Sequence, residues 1–166
     1  MNEFLKEQLE RVNYWLSFGE AKNGALIAIN MALMALLIEL FKYAPLLCTI
    51  TLICLALSNC ICLLSFVPDL TSNNAGNSNS IDIKSINLLF YSDIAKLDKE
   101  QYIDALKIEY TDLFDKESFE GKRELDYVSE IYTNSCIAAR KYHLFRKAVY
   151  IDLIAMVLGA VLFMVA

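Results

Sequence analysis

The chain has 166 residues, 57% of them hydrophobic and 21% charged, with a net charge of −5 and a mean hydropathy of +0.40. A soluble domain averages about 45–50% apolar and about 25% charged residues, and here the apolar excess is concentrated in two nearly uncharged stretches of roughly 20 residues and a third behind a basic cluster. The pattern excludes an ordinary soluble globule, a secreted disulfide scaffold and a disordered chain, and it leaves roughly 75–80 residues between the second and third stretches, too few for a large catalytic domain.

Residues 1–23 place Leu5, Leu9, Val12 and Leu16 at helical spacing with Glu and Lys between them, which predicts an amphipathic helix. It is expected to run on into the first apolar stretch as one long helix, with Trp15 and Phe18 near the interface or packed on the cytosolic part. The first stretch is Gly24 to Leu40 and the second Pro45 to Val67. Each approaches the ~20 residues that a helix needs to cross about 30 Å of hydrocarbon. About four residues separate them, a connection of the length that joins neighbouring antiparallel helices, so residues 24–67 are predicted to form a transmembrane hairpin. The first stretch is too long for a signal-peptide core, no small-residue cleavage site follows it, and it is expected to be retained.

Residues 68–80, including Thr71–Ser80 (TSNNAGNSNS), read as a polar flexible linker. Residues 81–147 are predicted to form a mainly helical cytosolic region. Ile81 to Tyr91 alternates briefly and then becomes an apolar run, either one short strand or an irregular docked segment. Ser92 or Asp93 is placed to cap a short turn. Asp98 followed by Gln101 fits a capping box opening a helix through Tyr102, Leu106, Glu109 and Leu113. Gly121 breaks the chain, and from Glu124 there is no Gly or Pro until Gly159. Val128, Ile131, Tyr132, Ala138, Ala139, Tyr142 and Phe145 form a broad stripe, predicting one helix of about 40 residues, roughly 60 Å long. It leads directly into the third span, residues 148–166.

Three basic residues precede the first span, Lys42 alone lies in the hairpin turn, and the other 11 of 15 fall between the second and third spans. Short-loop bias of this kind predicts a cytosolic N-terminus and middle region, with the C-terminus on the far side. Acids and bases interleave in the middle region, and nothing there reads as a nucleic-acid surface. Cys48, Cys54, Cys60, Cys62 and Cys136 form no framework and read as free thiols. The single histidine, His143, has no nucleophile motif beside it. With no Gly-rich phosphate loop and no metal-ligand cluster, no catalytic group, metal or cofactor is expected.

Two constellations remain. Arg140, Lys141, Arg146 and Lys147 are either a topology determinant that attracts anionic lipid or a phosphate-binding patch. Asn30, Asn59 and Asp152 are polar groups within the spans, where such groups are costly. They are either glue between helices, with Asn30 and Asn59 bonded across the hairpin, or the lining of a water path once several copies assemble.

Several stretches together resemble the transmembrane effectors of Pycsar, the bacterial pyrimidine cyclase system for antiphage resistance. They are Ala21–Asn30 (AKNGALIAIN), Asn87–Leu97 (NLLFYSDIAKL), Glu100–Tyr102 and Ala138–Ala148 (AARKYHLFRKA), in the same order and layout. Family members more often carry Phe and Gly where Tyr91 and Ser92 stand. The resemblance implies an all-α membrane protein with three transmembrane helices, an N-terminal hairpin plus a C-terminal span. It also implies an effector that responds to cyclic UMP or cyclic CMP and impairs the bacterial inner membrane, so that the infected cell stops growing; non-enzymatic action as a homo-oligomer is the accompanying expectation. The cyclic-nucleotide-binding barrel with its Gly-rich cassette is absent. The leading expectation is that the nucleotide binds at Asn87, Phe90, Tyr91, Asp93, Arg140 and Lys141, with Asn30, Asn59 and Asp152 the polar set in the membrane. The rival expectation is a membrane-anchored adaptor docking a soluble partner through its cytosolic helices.

Overall fold

The computed structural model describes residues 2–67, 85–110 and 121–165. Among them every regular element is helical and no strand occurs. The helices are α1 (Asn2–Leu40), α2 (Pro45–Leu64), α3 (Tyr91–Ile94), α4 (Lys99–Glu109) and α5 (Lys122–Val165). α1, α2 and α5 are each long and apolar enough to cross a membrane, and the protein is an all-α membrane protein with three such helices. The expected linker at 71–80, the alternation at 81–84 and the contribution of Leu113 lie outside the described residues.

The amphipathic segment and the first span form one helix of 39 residues, and the Gly-free stretch after Glu124 leads into one of 44. Burial on α1 recurs at Leu5, Gln8, Val12, Gly19, Asn23, Asn30 and Leu37, spacings of three, four and seven that keep one face inward. Phe41–Tyr43 make the hairpin turn, with Phe41 N–H donating to Ile38 O and Tyr43 N–H to Leu40 O. Pro45 then opens α2 where its missing N–H is not needed.

The chain divides into two compact units, Met1–Phe18 with Asp69–Arg140 and Gly19–Pro68 with Lys141–Ala166. The first unit has an apolar core built from Leu5, Val12, Leu88, Ile94, Leu97, Tyr102, Leu106, Val128, Ile131 and Tyr132. Two of its buried hydroxyls bond to backbone carbonyls. Tyr102 Oη donates to Leu88 O at 3.3 Å and Tyr132 Oη to Leu97 O at 3.1 Å. Burial raises the pKa of both phenols, so they act as donors. The capping box is present as the sequence predicts. Gln101 N–H donates to Asp98 Oδ1 at 2.7 Å, and Asp98 N–H donates to Gln101 Oε1 at 3.0 Å.

One local expectation fails. Neither Ser92 nor Asp93 caps the short turn. The N-cap of α3 is Phe90, without a side-chain bond, because Asp93 reaches back to the backbone N–H of Asn87 instead.

The second unit inverts the ordinary arrangement. Ile29, Leu36, Ile38, Leu46, Ile53, Leu57, Val157 and Phe163 face outward. Asn23, Asn30, Thr51, Ser58, Asn59 and Asp152 are buried. An apolar cluster of Leu37, Cys48, Leu55, Ala155 and Leu162 fills the end nearer the hairpin turn.

Candidate functional site

In the first unit, Asn87 and Phe90 fall on a tight loop that leads into α3, and Tyr91 and Asp93 on α3 itself. Asn87 Oδ1 accepts from Leu89 N–H at 3.0 Å, and Asp93 Oδ2 accepts from Asn87 N–H at 3.2 Å. Phe90 N–H donates to Asn87 O at 3.0 Å. Asp93 also pairs with Lys96 at 2.5 Å. That bond, with the Asn87 N–H, holds the Asp93 carboxyl below the usual carboxylate range. Asn87 and Asp93 thus fix the loop's shape, and this shape presents the two aromatic rings.

Those rings join a group on α1. Trp15 meets Phe90 edge-on at 6.3 Å between centroids and Tyr91 at 5.6 Å, while Phe90 and Tyr91 lie 4.7 Å apart. Tyr14 and Phe18, one turn apart on α1, lie nearly parallel at 6.1 Å, and each packs against Trp15. Tyr91 is buried, whereas Tyr14 is 61% exposed, Phe18 39% and Phe90 37%. The sequence alone places Trp15 and Phe18 near the interface or on the cytosolic part and gives Tyr14 no role. The available signal was the four-residue spacing of Tyr14 and Phe18 around Trp15, one helical turn of aromatics on an otherwise charged segment. The outcome is a partly open aromatic face of the kind on which a planar base stacks.

Arg140 and Lys141 are neighbours in sequence but belong to different units. Arg140 is half-buried in the first. Lys141, in the second, is buried. Its Nζ donates to Glu20 Oε1 at 2.8 Å and sits 5.4 Å from the Phe66 ring centroid. Lys22 lies over the Tyr142 and Phe145 rings at 5.3 and 5.7 Å. Gly19 admits the Tyr142 ring so closely that a Cβ there would stand 3.3 Å from it. His143 is exposed, with its Nδ1 3.3 Å from Arg146 Nη2, which can only donate.

The polar groups of the second unit converge. Asn30 Nδ2 lies 3.2 Å from Ser58 Oγ, 3.1 Å from Asn59 Oδ1, and 3.1 and 3.2 Å from the two oxygens of Asp152. Ser58 in turn donates to Ala148 O at 3.3 Å. The bond expected across the hairpin is present, and Asp152 from α5 joins it. All five cysteines are free. Cys48 and Cys62 are buried, Cys54 is half-buried and Cys60 is exposed on α2, while Cys136 is half-buried in the first unit.

A model of the Pycsar effector protein domain (PycTM) matches residues 4–166. The chain belongs to the Pycsar effector family. No curated protein and no solved structure matches it. Membership makes this Pycsar chain a membrane effector of antiphage defence, and the matched domain is not the cyclase. Its three apolar helices carry the membrane part of that description.

Proposed function

We propose that the protein senses a cyclic pyrimidine mononucleotide, cyclic UMP or cyclic CMP, and in response impairs the integrity of the bacterial inner membrane. The observation that carries this reading is the partly open aromatic face of Tyr14, Phe18 and Phe90 in a chain of the Pycsar effector family. The pyrimidine stacks on Phe90, the open ring of the loop, which is backed by Tyr91 and Trp15. Asn87 and Asp93 hold the loop that presents these rings, and Arg140 of the same unit neutralises the phosphate. Lys141, paired with Glu20, stays outside this set.

The N-terminus and the first unit face the cytosol, where the nucleotide is made. α1 and α5 contribute residues to both units, which gives ligand binding a covalent route to the spans. Binding favours a leaking arrangement of several copies, and for a decisive switch the ligand must prefer that arrangement by about 5 kcal/mol.

The test is purified protein in dye-loaded liposomes, with cyclic UMP, cyclic CMP and cyclic AMP added separately. Leakage with one pyrimidine nucleotide and none with cyclic AMP is the expected result. Phe90→Ala and Arg140→Ala should each raise the concentration for half-leakage about tenfold or more, since one stacked base is worth ~1–3 kcal/mol. No leakage with any nucleotide, in correctly inserted protein, indicates an adaptor that docks a soluble partner instead.

A further inference from the structure

At the centre of the second unit, hydrogens and acceptors do not balance. The Asn30 amide carries two hydrogens, yet four oxygens surround its nitrogen at 3.1–3.2 Å. Ser58 spends its own proton on Ala148 O, and the Asn59 amide group turns toward Met34 Sδ at 3.9 Å. Two of the four converging oxygens are therefore left without a hydrogen. The imbalance is also one of charge. Asp152 is 6% exposed, and among the described residues no Lys, Arg or His lies within ion-pair distance of it. A carboxylate in a membrane-spanning segment is costly unless a positive charge answers it.

We propose that this centre is a binding site for a monovalent alkali cation. Its ligands are both oxygens of Asp152, Asn59 Oδ1 and Ser58 Oγ. A half-turn of the Asn30 carboxamide exchanges its Nδ2 for Oδ1 and supplies a fifth oxygen. The donors are then hard oxygens throughout, one carboxylate with two amide carbonyls and a hydroxyl, the set that suits ions bound by dehydration onto oxygen. One negative charge is matched by one positive charge. A divalent ion would leave a net charge among apolar helices, and no group of three His, Cys, Asp or Glu exists among the described residues to absorb it. The ligands come from α1, α2 and α5, so the ion ties together all three spans. The reasoning is independent of the nucleotide reading, and so is its test.

That test is the melting temperature of the full-length protein in detergent micelles at constant pH and ionic strength, in NaCl, KCl, LiCl or choline chloride. Choline is too large for the site and serves as the reference. At least one alkali ion should raise the melting temperature by about 3–5 °C at roughly ten times its Kd, with a saturating concentration dependence. Asp152→Asn should abolish that dependence, whatever its own stability, and Asn59→Ala should shift the midpoint of the cation titration about tenfold upward. Equal melting temperatures in all four salts would overturn the proposal. So would an Asp152→Asn variant that keeps the cation shift, or a wild-type protein that responds to pH alone, in which case a proton supplies the positive charge.

Discussion

The two units solve opposite problems with the same helices. The first buries Leu5, Ile94, Leu106 and Ile131 and leaves its charges outside, as a structure held together by water must. The second buries Asn30, Ser58, Asn59 and Asp152 and turns Ile29, Leu57, Val157 and Phe163 outward. In lipid there is no hydrophobic drive to join apolar helices, so polar bonds and close packing must do it. The first unit is therefore specified by how well its apolar surfaces fit. The second is specified by a few hydrogen bonds that fix the register of α1, α2 and α5, and it should be the more sensitive of the two to single polar substitutions.

Each unit has a side chain whose replacement tests this difference. In the first unit, Tyr102→Ala removes a fully buried ring and should cost about 3–5 kcal/mol of unfolding free energy, whereas Tyr102→Phe, which loses only the bond to Leu88 O, should cost ~1 kcal/mol. In the second unit the asymmetry should reverse. Asn30→Leu keeps the branching of the side chain but strips the Asp152 carboxylate of its donor, and a loss of about 2–3 kcal/mol is expected in detergent unfolding. The double variant Asn30→Leu/Asp152→Leu should recover much of that loss, because it removes the buried carboxylate together with its donor and leaves only the Asn59 carbonyl short of one. A double variant as unstable as the single one would refute the picture of a centre in which Asn30 is the donor that holds the Asp152 carboxylate.

Smaller effects sharpen the contrast. Asp98→Ala removes the capping box of α4 and should cost about 1 kcal/mol, read as faster amide exchange at Gln101 and Tyr102. Lys96→Met should let the Asp93 carboxyl titrate at a higher pH than in wild type, measured by NMR. The Asp93 pKa is lowered in the folded protein, chiefly by Lys96. Its contribution is therefore present above the ordinary carboxylate range and is lost as pH falls through the lowered value. In the variant, the loop at Asn87–Asp93 should loosen at a less acidic pH.

Local physics made much of this legible in advance. Apolar length marked the three spans, the Asp98–Gln101 spacing marked the capping box, and the cost of amides in lipid marked the Asn30–Asn59 bond. What escaped was set by long-range packing. The union of Trp15 with Phe90 and Tyr91 joins residues some 75 positions apart, and neither segment's periodicity encodes the other. The Lys141–Glu20 pair is equally invisible, because both residues read locally as solvated charges near a membrane edge. Asp93 was misread as a cap because its type suits one, while the backbone around Asn87 offered it a better donor.

The free thiols give the molecule reporters of its own. Cys60 is exposed on α2, while Cys48 and Cys62 on the same helix are buried, so Cys60 should be the first of the three that a water-soluble maleimide tags once water reaches the span. Cys136, whose thiol is pushed up by burial, stays protonated and slow to react in the first unit. The order in which native cysteines become alkylated is thus a clock for any rearrangement of the spans, readable by mass spectrometry without engineering a single residue.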